Sequence, residues 1–348
     1  MIIKYLILMG TSLAIFSCAN ANAEAATSQR LEISSDFVDM VITPNAGGRV
    51  IHFSAAGKKN VLLVGKDILE QPQPTISYFG QHIDYFGHIV WLGPQNSWWT
   101  YQTKNQQRRE ARAPWPPDPY IVLAENKVLK SNDKQITLQG IDSPISGVRL
   151  SKSFTLTPNK QQVELLAAAQ NIQAGSISRD IWFNTRVASD AVIYVAVDST
   201  DNIRFDGSND PLKSYPVYSL ENGFLQLKNP NIFADNIKRR SGKLFIQPTA
   251  GWIAAFVNQQ LFVIEFKLNA QSSIHPEQGQ IELYYNFDGL GAAAGLIELE
   301  VHSPYQSFVA GESISAKEWW SIYPYAGPNA RSAQLAYLQQ KLNTADVH

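Results

Sequence analysis

More than a dozen short runs of this chain alternate apolar and polar residues with period two, and Gly, Pro, Asn or Asp closes nearly every one. Among them are "RLEISSDFVDMVITP", "GGRVIHFSA", "DIWFNTRVA", "GWIAAFVN", "LFVIEFKLN", "QIELYYNF" and "LIELEVHSP". A run of this kind buries one face and wets the other only as a strand, so the chain must build sheets. "VRLSKSFTLTP" and "QQVELLAAAQNI" read as a hairpin turning at Pro158-Asn159-Lys160. Helical spacing is clear only at Leu335, Leu338 and Leu342, after Pro328 and with Asn329 as a plausible cap. The Pro-rich stretch 113–120 reads as a long ordered loop crossing between sheets. No repeat period, linker or low-complexity tract divides the chain. The expected architecture is all-β, a large antiparallel β-sandwich of one domain, residues 24–348, with a short C-terminal helix.

The first residues bear on compartment. A lysine, an apolar run from Tyr5 to Phe16 and then small residues make residues 1–23 an export signal, cut after Ala21-Asn22-Ala23. The run is shorter than the roughly 20 apolar residues of a membrane span. A rival reading takes Ile15-Phe16-Ser17-Cys18 as a lipoprotein box with a lipid anchor at Cys18. The expectation is an exported, periplasmic chain, soluble or lipid-anchored, with no transmembrane span once mature. Cys18 is the only cysteine, which excludes thiol catalysis and an internal disulfide.

Charge and motifs exclude several functions. With 29 basic and 30 acidic residues spread without blocks, nothing marks a nucleic-acid partner. Six scattered histidines give no metal-ligand spacing, so neither metal nor cofactor is implied. A phosphate loop, a dinucleotide fingerprint and a Gly-x-Ser-x-Gly elbow are also missing from the sequence.

What remains points to a saccharide. Eight tryptophans leave room for ring faces outside the core, although packing across the sheets explains tryptophan equally well, and residues 85–99 gather His88, Trp91, Trp98 and Trp99. With Trp115 these offer aromatic faces on which the C–H surface of a sugar can stack. Period two puts Glu298, Glu300 and His302 on one face of their strand, and Glu282, Tyr284 and Asn286 on one face of theirs. Such faces are either solvated or present acids and amides to hydroxyls. Arg49 is read as sugar-facing or paired with a carboxylate. Glu265, in an otherwise apolar strand, faces a site or needs a buried partner.

The order of "GGRVIHFSAAGKKNVLLVG", "GHIVWLGP…WPPDP", "KSFTLTPNKQQVELLAAAQNI", "IWFN", "GQIELYYNFDG" and "GLIELEVHSPYQSFVAGES…EWW" resembles the galactose mutarotase-like (aldose 1-epimerase-like) superfamily, within it a branch of uncharacterised bacterial domains. The resemblance covers residues 30–325. It implies a twisted sandwich whose concave face binds a saccharide. It also implies a histidine that protonates the ring oxygen and a glutamate that takes the anomeric proton. Gly87-His88 matches the family's sugar-holding histidine, and Glu282 matches its base. Asp180 stands where the acid histidine belongs, and an aspartic acid serves there only if burial raises its pKa by several units. This departure favours a carbohydrate-binding protein over the alternative, an aldose 1-epimerase-type isomerase using Glu282 as base.

Overall fold

A computed structural model describes residues 29–66, 68, 74–157, 162–207, 217–230, 239–288 and 295–344. The expected export signal, Cys18 and the hairpin turn at 158–160 lie outside them.

Twenty strands, numbered in chain order, form two antiparallel ten-stranded sheets among the described residues. Sheet one begins at β1 (Leu31–Ser34), β2 (Val38–Thr43), β3 (Arg49–Ala55) and β4 (His88–Gly93). It continues through β9 (Ile177–Ala188), β18 (Gly295–His302), β17 (Ile281–Asp288), β14 (Arg239–Ile246) and β11 (Ile203–Asp206). A short β19 (Gln306–Phe308) pairs off this path with β9. Sheet two begins at β12 (Tyr218–Glu221), β13 (Phe224–Lys228), β10 (Val192–Ala196), β15 (Trp252–Val257) and β16 (Gln260–Phe266). It ends with β20 (Ser313–Pro324), β8 (Gln162–Asn171), β7 (Val148–Leu156), β6 (Gln135–Asp142) and β5 (Lys127–Ser131).

The alternation seen in the sequence explains the layering. Phe53 of sheet one meets Phe262 and Trp320 of sheet two, with ring centroids 5.3 and 5.1 Å apart. A continuous core spans Ile33 to Ile322. Leu283, Leu299 and Val301 point into it, so their neighbours Glu282, Glu298, Glu300 and His302 point out of the opposite face of sheet one. On the far side of sheet two, Tyr194, Phe256 and Tyr325 pack with Leu338 of the C-terminal helix, Arg331–Thr344. Asn329 accepts a hydrogen bond from the Gln334 side-chain amide at 3.2 Å.

The Pro-rich segment does carry the chain from sheet one to sheet two, as expected. It runs into a helical turn, Pro119–Val122, which period counting misses because four residues are too few to show a period. Asp118 caps it, accepting from the Tyr120 amide, and Pro119 sits where its missing N–H costs nothing. No helix among the described residues is long and apolar enough to cross a membrane.

Candidate functional site

Four neighbouring strands, β9, β18, β17 and β14, bring their outward side chains into one polar field. Register does this: Asn184 pairs with Glu300, Glu300 with Glu282, and Glu282 with Phe245; one step along, Arg186, Glu298, Tyr284 and Lys243 line up in the same way. Beyond β9, Trp91 of β4 lies opposite Trp182.

Over this field lies a cleft of about 560 Å³, within the usual range for small-ligand sites. Its floor is Trp182, Arg186, Lys243, Tyr284 and Glu298, and the loops before and after β4 contribute His82 and Trp115 as walls. Trp91 meets Trp98, Trp115 and Trp182 edge-on, with centroids 5.4, 6.2 and 4.9 Å away. Trp115 is 45% exposed at the rim, so the aromatic group runs from solvent into the floor. Arg186 donates to Glu298 at 2.8 Å and lies 4.8 Å over the Trp91 ring. His82, against Trp115, is held neutral: burial and then the Arg186 and Arg49 charges lower its pKa to about 3.

Beneath the floor is a buried ionic cluster. His302 Nδ1 donates to Asp180 Oδ2 at 2.8 Å, and its Nε2 lies 3.4 Å from Glu282 Oε1. Lys243 Nζ bridges Glu282 Oε2 at 2.6 Å and Glu300 Oε2 at 2.8 Å, and Trp182 Nε1 also donates to Glu300. Four carboxyls, Asp180, Glu282, Glu298 and Glu300, thus share three basic side chains. The excess falls on Glu300. Burial, with the charges of Glu298 and Glu282, pushes its pKa well up against the pull of Lys243. Burial acts the same way on Glu282, but Lys243 and then His302 override it and hold Glu282 at about 2. For His302, burial is outweighed by Glu282 and Asp180, which raise it to about 9. Gly93 makes the packing feasible, since a Cβ there would run into the Asp180 carboxylate and the Gln278 amide.

Glu282, Glu300 and His302 place ligand atoms within 4.8 Å of one another, a trio that in isolation suits a metal ion. The Lys243 ammonium already bridges two of the three, so a cation would have to displace it. Several buried atoms around the cluster have no hydrogen-bond partner within the protein: Asp180 Oδ1, the Asn184 side-chain amide, Glu300 Oε1 and Trp91 Nε1. Such groups call for ordered water or a polar ligand.

The residues singled out in the sequence divide into four places. Trp91, Trp115 and Glu298 line the cleft. Glu282, Asp180, Glu300 and His302 form the cluster under it, each at most 2% exposed, so Glu300 is not on a solvated face. Arg49 and His88 lie in the core instead. Arg49 donates to the carbonyls of Phe86 (2.5 Å) and Val122 (3.0 Å) rather than to a carboxylate. His88 bonds Thr185 Oγ1 at 2.8 Å and meets Trp320 edge-on. Glu265 belongs to sheet two, where Gln162 donates to it at 3.2 Å. Lys243, Arg186, Tyr284 and Trp182 complete the site. Tyr284 was legible from strand period; Lys243 sits in "RRSGKLFI", which is too polar to read as a strand.

The fold matches solved structures across most of the chain. A galactose mutarotase-like protein from Lactobacillus casei superposes with a TM-score of 0.53 at 10% identity, covering 85% of this chain and 100% of its own. A candidate aldose 1-epimerase from Klebsiella pneumoniae also gives 0.53, at 13% identity over 89% and 81%. At such identities the likeness is one of fold: the chain has the galactose mutarotase-like sandwich. Comparison with curated proteins finds no match. The profile of the domain of unknown function DUF4380 matches residues 28–323, and the chain belongs to that family.

Proposed function

We propose that the cleft over sheet one binds a saccharide and that binding, rather than turnover, is its task. The observation that carries this reading is the composition of the cleft. One wall is the tryptophan group, while the floor presents Arg186, Lys243, Tyr284 and Glu298. A pyranose has the same two-sidedness, with C–H faces for rings and hydroxyls for charged and amide groups.

The competing reading, an aldose 1-epimerase-type isomerase, needs a carboxylate able to take the anomeric proton. Glu282 has Oε2 on Lys243 and Oε1 toward His302, and it does not line the cleft. Its low pKa, about 2, also makes it a weak base. Asp180 is tied to His302 and equally covered.

A glycan array on the full mature chain, followed by polarimetry of freshly dissolved aldoses, tests both readings. The expected result is a defined saccharide hit and little or no acceleration of the anomeric equilibrium. No hit on the array would overturn the binding reading. Fast mutarotation abolished by Glu282→Gln would establish the isomerase instead. Export to the periplasm is part of the proposal and rests on residues 1–23; a mature N-terminus at Glu24 or a lipidated Cys18, found by mass spectrometry, would support it.

A further inference from the structure

Arg179 precedes Asp180 on β9 and therefore points to the other face of sheet one. It is 6% exposed, and its guanidinium donates to the carbonyls of Ser178 at 2.9 Å and Ser146 at 3.3 Å. Among the described residues no carboxylate lies within 4.0 Å of it. Two other buried cations have carboxylates in contact, Arg186 with Glu298 and Lys243 with Glu282 and Glu300, while Arg49 and Lys152, like Arg179, donate to main-chain carbonyls. Arg179 also borders a second cleft of about 470 Å³, whose lining contains no Asp or Glu. Two phenols flank it: Tyr101, 77% exposed with its ring 6.0 Å from the guanidinium, and Tyr305. Burial still lowers its pKa, because Asp180 and Asp118 favour its charge only from a distance. A guanidinium removed from water with no carboxylate in contact is costly, and the cleft gives a partner access to it.

We propose that this second cleft binds a uronate, the carboxylate of an acidic saccharide pairing with Arg179 and the sugar ring lying against Tyr101. The planar guanidinium still has donors free after its two main-chain bonds, and their fork matches a carboxylate. Tyr101 supplies an exposed ring face, and Tyr305, Gln173 and Ser176 supply hydroxyl and amide groups for the sugar hydroxyls. The volume admits one or two sugar rings. The site is separate from the first cleft and does not depend on the reading of it.

Calorimetric titration of the full chain with D-galacturonate and D-glucuronate tests the assignment. Their methyl esters, acetate and inorganic sulfate serve as controls. The uronates are expected to bind saturably, and the esters, acetate and sulfate at least roughly tenfold more weakly. Arg179→Gln should weaken uronate binding roughly 10- to 100-fold. Tyr101→Ala, at an exposed position where the fold is not at stake, should weaken it by roughly 3- to 10-fold. Should Arg179→Gln fail to fold, Tyr101→Ala and the ester comparison decide. Absence of saturable uronate binding, unchanged affinity in Tyr101→Ala, or acetate or sulfate matching the uronates would overturn the proposal. So would a uronate signal lost in Trp115→Ala and kept in Arg179→Gln, because that would place the ligand in the first cleft.

Discussion

Lys243 and Glu282 form an ion pair beneath the cleft, Nζ to Oε2 at 2.6 Å with the carboxylate only 2% exposed. A buried pair of this kind adds little over an apolar replacement of both partners, but removing one partner strands a charge. Lys243→Met strands two carboxyls, since Glu300 shares the same ammonium. The expected cost is roughly 3–5 kcal/mol in denaturant unfolding. Adding Glu282→Gln to that variant should recover part of it. Equal stability of Lys243→Met and the wild type would show that the ammonium does not hold the cluster.

His302 makes the same cluster pH-dependent. Its folded pKa of about 9 lies above the unfolded value of 6.5, because Glu282 and Asp180 favour the imidazolium against burial. The stabilisation is therefore complete below pH 6.5 and is lost as pH rises through 9, by about 3 kcal/mol. Melting curves from pH 6 to 10 should show this decline in the wild type, with a flatter decline in His302→Gln. Parallel curves would mean that His302 is neutral in the folded state.

Glu318 adds a second pH sensitivity from inside the sandwich. It accepts from Trp320 Nε1 at 2.8 Å, is fully buried, and has its pKa raised by burial to about 8. The folded state keeps this proton while the unfolded chain releases it above pH 4.5, so stability falls between pH 4.5 and 8, by up to about 5 kcal/mol. Glu318→Gln keeps an acceptor for Trp320 and has no proton to lose. The variant should match the wild type at pH 4 and melt higher at pH 8. A variant that melts lower at both would assign Glu318 a packing role that Gln cannot fill.

Strand period alone put Glu282 and Tyr284 on one face and Glu298, Glu300 and His302 on another, and both faces meet in the site. Period says nothing about register, and it is the pairing of Glu282 with Glu300 that brings Lys243 between them. The same rule, applied strictly, separates His88 from Trp91. Positions three apart on a strand face opposite ways, so Trp91 lines the cleft while His88 enters the core. Sheet membership was equally out of reach for Glu265, since an apolar strand with one carboxylate reads alike in either sheet. Arg179 carried no signal beyond its charge, because its lack of a contacting carboxylate and its place beside a cleft are properties of the folded neighbourhood.

Trp115 gives the most direct test of the first cleft. Its ring stands at the rim, 45% exposed, against His82 at 4.7 Å and Trp91 at 6.2 Å. Truncation removes a stacking surface without opening the core, so Trp115→Ala should leave the melting temperature nearly unchanged. Saccharide affinity should fall by roughly 3- to 10-fold, the usual worth of one aromatic contact. Trp91 behaves differently. It is 4% exposed and packs on Trp98, Trp182 and Arg186, so Trp91→Ala should destabilise by roughly 3–5 kcal/mol as well as weaken binding. Fluorescence titration of both variants with the array-selected saccharide, alongside melting curves, separates the two effects. Full affinity in Trp115→Ala would mean that the sugar does not stack on this wall, and would leave the polar floor of Arg186, Lys243 and Glu298 to account for binding.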